Sequence, residues 1–192
     1  MYPLRFPRVA RFAVVFRSLR FDTQRFGFAC RRTAKVETLL DSDEKDIITN
    51  ACSSMGAKRN IKSARAASEK QGLGWTRDAI FVDIDASTQR ENWRSREAPC
   101  ITRARGGSGG PFISKLNRRT TTSELMRLQG FHPSEIPWEK HGLSRNAVGM
   151  ALGNAMSANV LQRILPRALW SAGLLSERPV DRWEDPFYNP LV

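Results

Sequence analysis

The side chains whose types and spacing could do chemistry are few. They are three cysteines, two histidines, a pair of aspartates two residues apart, and four arginines flanking a glycine run. Asp83 and Asp85 end the stretch Ala79–Asp85 (Ala-Ile-Phe-Val-Asp-Ile-Asp), which reads as a strand. Alternation puts Phe81, Asp83 and Asp85 on one face and Val82 and Ile84 on the other. Two carboxylates on one face can hold a divalent cation or move a proton, but such a pair more commonly marks a strand's solvated end, and that reading is preferred. His132 leaves a helix in Phe-His-Pro and His141 follows Lys140. Neither has a Ser or Cys partner nearby, so both are assigned to solvated loops. Cys30, Cys52 and Cys100 are odd in number and widely spaced. They form neither a disulfide framework nor a zinc site, which points to a reducing compartment.

The arginines are the stronger signal. Arg103 and Arg105 precede Gly106-Gly107-Ser108-Gly109-Gly110-Pro111, and Arg118 and Arg119 follow it. The run matches neither the phosphate-loop pattern nor the dinucleotide fingerprint. It reads as a flexible loop between two extended pieces, bare enough to let its cationic flanks approach a polyanion. The whole chain is biased the same way: 31 Lys and Arg against 19 Asp and Glu give a formal charge of +12. That balance points to nucleic acid. The four arginines are therefore candidate phosphate contacts.

These residues must be held by a fold, and 192 residues with 41% hydrophobic content suffice for one domain or two small lobes. Arg8 to Phe28 suggests a strand, a turn near Asp22-Thr23-Gln24 and a short return. The Arg-rich start, with Asp22 its only acid before Val36, also has the composition of an organellar transit segment. Lys58 to Lys70 reads as a solvated helix with few large apolar residues, whose basic face can lie along a phosphate backbone or, as an equal alternative, simply face water without a partner. Thr121 and Glu124 have capping-box spacing, and the helix they open should stop at Gly130, with Phe131 folding back on its apolar face. Ser144 should cap a helix through Leu152, ended by Gly153-Asn154, where Asn tolerates unusual backbone angles. Ser157 should cap a last helix that buries Val160, Leu161, Ile164, Leu165, Ala168 and Leu169, with Pro166 kinking it or starting a new turn. No apolar run approaches the ~18 residues of a membrane helix.

Arg118-Arg119-Thr120-Thr121-Thr122-Ser123-Glu124-Leu125-Met126-Arg127-Leu128-Gln129-Gly130-Phe131 resembles the ninth conserved block of the DNA cytosine-5 methyltransferases, roughly Arg-x-Leu-Thr-x-Arg-Glu-x-x-Arg-Leu-Gln-Gly-Phe. Arg118, Thr121, Glu124, Arg127, Leu128, Gln129, Gly130 and Phe131 fit; Thr120 replaces a Leu and Ser123 an Arg. Gly153-Asn154-Ala155-Met156-Ser157 resembles the tenth block, in the right order and at the right spacing. Upstream, Phe26, Gly27 and Arg32 resemble a degenerate eighth block, with Ala29, Cys30 and Ala34 departing from it.

The resemblance implies an α/β fold: the incomplete C-terminal part of a Rossmann-like S-adenosylmethionine-dependent methyltransferase domain, plus a small target-recognition lobe. Residues 1–36 would hold the eighth block, 37–117 the variable recognition region, 118–170 the last two blocks with the closing helix, and 171–192 a tail. Asn154, Ala155 and Met156 would line the methionine end of S-adenosylmethionine, a partial site only. The family's catalytic Pro-Cys loop and cofactor strand are expected before the eighth block. Pro99-Cys100 and Glu91-Asn92-Trp93 are out of order, and Cys100 lacks the Gln that should follow it. No catalytic residue is therefore assigned. The expected partners are DNA and a missing N-terminal methyltransferase half, in nucleus or nucleoid. The closing helix should expose apolar surface that this half would cover. A non-catalytic DNA-binding module and an imported RNA-associated protein are the alternatives.

Overall fold

The structure is a computed structural model and describes residues 36–41, 54–87 and 92–180. The strand-turn expected between Arg8 and Phe28, the degenerate eighth block, Glu91 and the C-terminal tail beyond Val180 lie outside the described residues. The described residues up to Ala158 belong to one compact unit, and those from Asn159 to Val180 to a second.

The first unit is built on a small sheet. Strands β1 (Ile80–Val82), β2 (Trp93–Ser95), β3 (Phe112–Ile113) and β4 (Arg118–Arg119) run in the order β2-β1-β3-β4, with every neighbouring pair antiparallel. Val82 faces both Trp93 and Phe112, and Ile113 faces both Phe81 and Arg118. β1 is central and buried along its whole length, so its residues alternate between two apolar layers rather than between core and water. Ile80, Val82, Ile84, Trp93 and Phe112 pack with helix α1 (Met55–Lys70). Phe81 and Ile113 pack with Val36 and Ala79, beside Leu39 and Leu128.

Helix α1 is not merely a solvated surface helix. Ser54 caps it, and Ala57, Asn60, Ala64 and Ser68 form a buried stripe at helical spacing. The stripe is small and partly polar, which is why hydrophobicity alone does not reveal it. Asn60 Nδ2 donates to the carbonyls of Ile84 and Ala86, each at 2.9 Å, and so ties the turn after β1 to the helix.

The described residues hold four more α-helices, α2 (Arg103–Gly107), α3 (Thr122–Leu128), α4 (Arg145–Asn154) and α5 (Ala158–Ser171), besides short 3₁₀ turns. The glycine run is therefore not simply a loop between extended pieces. Its first two glycines end α2, capped by Thr102, and only Gly109 and Gly110 turn with positive φ. The reason is tertiary: α2 lies directly against α4. A Cβ on Gly106 would stand 1.9 Å from the Gly149 carbonyl oxygen, and one on Gly149 would stand 2.1 Å from that of Gly106. Neither position admits a side chain.

The expected capping of α4 by Ser144 is present, with Ala147 N donating to Ser144 Oγ. The helix continues through Asn154 rather than ending at Leu152, and neither Gly153 nor Asn154 adopts a left-handed conformation. Gly153 is needed for space: a Cβ there would lie 2.3 Å from the Thr102 carbonyl oxygen. Leu125, Met126, Val148 and Leu152 form the third core cluster, with Phe131 packed against it.

The second unit contributes the body of α5, which begins just after Ser157 and continues through Pro166 to Ser171. The expected burial of its apolar stripe is incomplete. Val160, Leu165 and Leu169 are exposed, while Arg167 and Ser171 are buried. No described helix is long and apolar enough to cross a membrane.

Candidate nucleic-acid and cofactor site

The segment that resembles the ninth block is a single hydrogen-bonded assembly. Thr121 caps α3 by accepting from Glu124 N, and Glu124 Oε2 accepts from Thr121 N at 2.7 Å, closing the capping box. Glu124 has no exposed surface. Such a carboxylate needs a cation, and Arg118 supplies it through two parallel bonds of 2.9 and 2.8 Å. Glu124 Oε1 also accepts from Asp41 N. The Arg118 guanidinium pKa is raised by its bond to Glu124, which outweighs the opposing effect of burial.

Arg127 extends the assembly. It donates to the Leu39 carbonyl and pairs with Asp41 at 2.8 Å. The segment 36–41 is thereby strapped to α3. Gly130 turns the chain with φ +82°, and Phe131 N returns to the Met126 carbonyl. Gln129 reaches the other motif: its Nε2 donates to the Leu152 carbonyl at 2.8 Å, and its own carbonyl accepts from Ala158 N. Gln129 thus ties the end of α3 to α4 through its side chain and to the first residue of α5 through its backbone carbonyl.

This chemistry corrects the list of phosphate contacts. Arg118 is only 6% exposed at its side chain and committed to Glu124, so it holds the fold and cannot reach a phosphate. Arg119 forms a bidentate pair with Asp85. Arg105 pairs with Asp83 at 2.8 Å. Arg103 is exposed, on the first turn of α2.

The two aspartates are corrected with them. β1 ends at Val82, so Asp83 and Asp85 occupy the following turn rather than a strand face. They are partners of arginines, not a metal pair or a purely solvated end. Among the described residues no group of three His, Cys, Asp or Glu is placed to hold a metal ion. Burial raises the Asp85 carboxyl pKa, but the hydrogen bond and charge of Arg119, the Ser108 hydroxyl and the charge of Arg105 outweigh it and leave the value lowered.

Two cavities adjoin these groups. One, of about 220 Å³, lies between the glycine run, Thr120–Thr122 and the start of α4, with Arg145 and Asn146 on its wall. Asn146 Nδ2 donates to the Gly107 carbonyl at 2.8 Å and holds that wall in place. Its lining mixes the polar side chains of Ser108, three threonines, Arg145 and Asn146 with the apolar surface of the glycines and Leu125. Sequence reading missed Arg145 and Asn146 because they lie 35 residues or more beyond the glycines and only the α2–α4 contact brings them there. The other cavity, of about 260 Å³, is lined by Asp83, Trp93, Arg94, Cys100 and Arg105 among others. The exposed Cys100 has no histidine among the described residues of that lining. His132 and His141 are exposed, His132 capping the 3₁₀ turn Pro133–Glu135.

Asn154 ends α4, Ala155 is extended and half-buried, and Asn154 and Met156 are exposed. Together they offer one open edge: an amide, backbone groups and a thioether side chain.

Comparison of the chain with protein-family models, curated proteins and solved structures finds no match.

Proposed function

We propose that this chain is a C-terminal portion of a DNA cytosine-5 methyltransferase-like protein, comprising a recognition lobe and the elements that close a Rossmann-like catalytic domain. One observation carries the reading. The residues that fit the ninth-block pattern form one connected structural unit, and its Gln129 is bonded to the helix that ends in the tenth-block-like Gly153-Asn154. Two motifs with independent spacing signatures are physically joined.

In this reading the exposed Arg103 and the cavity carrying Arg145 and Asn146 face DNA. Asn154, Ala155 and Met156 would hold the methionine end of S-adenosylmethionine, which supplies the methyl group. Their open geometry suits one edge of that site, with the opposite wall coming from a catalytic half. The exposed Val160, Leu165 and Leu169 on α5 suit burial against the same half. The Pro-Cys nucleophile that attacks a flipped cytosine has no counterpart in the expected order within these residues. The chain alone should therefore transfer no methyl group.

The test is transfer of labelled methyl from S-adenosylmethionine to cytosine-containing DNA. It is run with the chain alone and with an added amino-terminal half from the family, folding being checked by circular dichroism. Transfer only in the mixture supports the proposal. Transfer by the chain alone overturns the absence of a catalytic centre. No transfer in either, from folded samples, favours a non-catalytic DNA-binding module.

A further inference from the structure

Three of the four arginines that the sequence offers to phosphate are committed to carboxylates. A further group of uncommitted cations lies on α1. Its outward side carries Lys58, Arg59, Lys62, Arg65 and Lys70, all exposed, against Glu69 as the helix's only acid. Arg65 is engaged with Glu69 at 2.8 Å. Lys58, Arg59, Lys62 and Lys70 make no ion pair among the described residues. Lys58, Lys62 and Arg65 follow one ridge at i, i+4 and i+7, with Arg59 and Lys70 on the ridge beside it. From Lys58 to Lys70 the cations span about 18 Å of helix axis. The side chains between them, Ser63 and Ala66, are small and exposed, so nothing bulky holds a rigid surface away from the ridge.

The opposite side of α1 is fixed. Ala57, Ala64 and Ser68 are buried against the sheet, and Asn60 is bonded to the turn after β1. The cationic side therefore has a set orientation on a rigid support, which a mobile basic tail lacks.

We propose that this ridge is a phosphate-backbone contact for duplex DNA, separate from the glycine-run cavity. It deepens the reading above and rests on its DNA-handling part. A duplex presents about one negative charge per 1.7 Å of axis, so a straight ridge of this length meets several phosphates at once. The contact is sequence-independent: it sets position and affinity and leaves base recognition to other elements.

The experiment is fluorescence anisotropy of a labelled DNA duplex titrated with the full chain at several salt concentrations. The variant is Lys58→Gln/Arg59→Gln/Lys62→Gln. Gln has a helix propensity close to that of Lys and Arg, and all three positions are exposed, so circular dichroism and unfolding should be unchanged. The slope of log Kobs against log salt should shrink by about 0.9 for each cation that meets a phosphate, about 2.7 if all three do. Affinity should weaken equally for unrelated sequences. Lys140→Gln, an exposed lysine remote in sequence, should leave the slope unaltered. Should the triple variant fold poorly, Lys62→Gln alone is expected to reduce the slope by about 0.9.

A slope equal to that of the unmodified chain overturns the proposal. So does an equal loss in Lys140→Gln, a preference for RNA over duplex DNA, or an absence of duplex binding. The methyltransferase reading fails separately. Methyl transfer on complementation with an unchanged slope sinks the ridge and leaves the enzyme reading. A reduced slope without transfer does the reverse.

Discussion

Glu124 shows how much a single residue can carry in this lobe. Its carboxylate accepts from Thr121 N, Asp41 N and both terminal nitrogens of Arg118. It thereby joins a helix start, the start of β4 and the segment 36–41. Glu124→Ala leaves Arg118 buried and uncompensated, and about 3–5 kcal/mol of stability should be lost. A urea unfolding midpoint reads this directly. Replacing both partners with apolar residues, Arg118→Met with Glu124→Leu, should recover much of the loss; a double variant as unstable as the single would refute the ion-pair account. Asp85 makes a weaker, titratable contribution. Its folded pKa is lowered, so the stability it adds is complete above the unfolded carboxylate value of ~3.9 and is lost as pH falls through the lower folded value. Asp85→Asn should flatten the acid limb of the thermal midpoint plotted against pH. An unchanged limb would show that the pair with Arg119 is not felt.

At the scale of elements the α2–α4 crossing is decisive. Gly106 and Gly149 meet backbone to backbone, and Gly153 lies against Thr102. Helices brought this close leave no room for a methyl group. Gly149→Ala should therefore cost more than the ~1 kcal/mol that the better helix propensity of Ala could return, giving a net loss of about 1–3 kcal/mol. Chemical denaturation measures it, and a stabilised Gly149→Ala protein would disprove the close approach. Opening this crossing also moves Arg145 and Asn146 away from the glycine run; if that cavity faces DNA as proposed, affinity for a duplex should fall together with stability.

For the whole molecule the informative surface is α5. An amphipathic helix that leaves Val160, Leu165 and Leu169 exposed has apolar area to bury. If an amino-terminal half covers it, Leu165→Glu/Leu169→Glu should abolish complementation in the methyl-transfer assay. The unfolding of the chain on its own should be nearly unaffected, because these side chains are already in water. Full transfer by the charged variant would remove α5 from the proposed interface.

Much of the local structure was legible in the residues themselves. Thr121 and Glu124 announce a capped helix, Gly130 its stop and Ser144 the next start, because caps and stops depend on neighbours within a few positions. The coarse α/β character was implied by the family resemblance, and the described residues do combine helices with a small, wholly antiparallel sheet. The basic charge is also a property of sequence alone. Which cations are free is not. Arg105, Arg118 and Arg119 look like phosphate ligands until the fold brings Asp83, Glu124 and Asp85 against them. Helix α1 looks fully solvated until the sheet covers its Ala, Asn and Ser stripe. The glycine run looks like a loop until α4 packs on it. In each case a long-range contact decided the outcome: pairing and close packing depend on where distant segments meet, which no local spacing encodes.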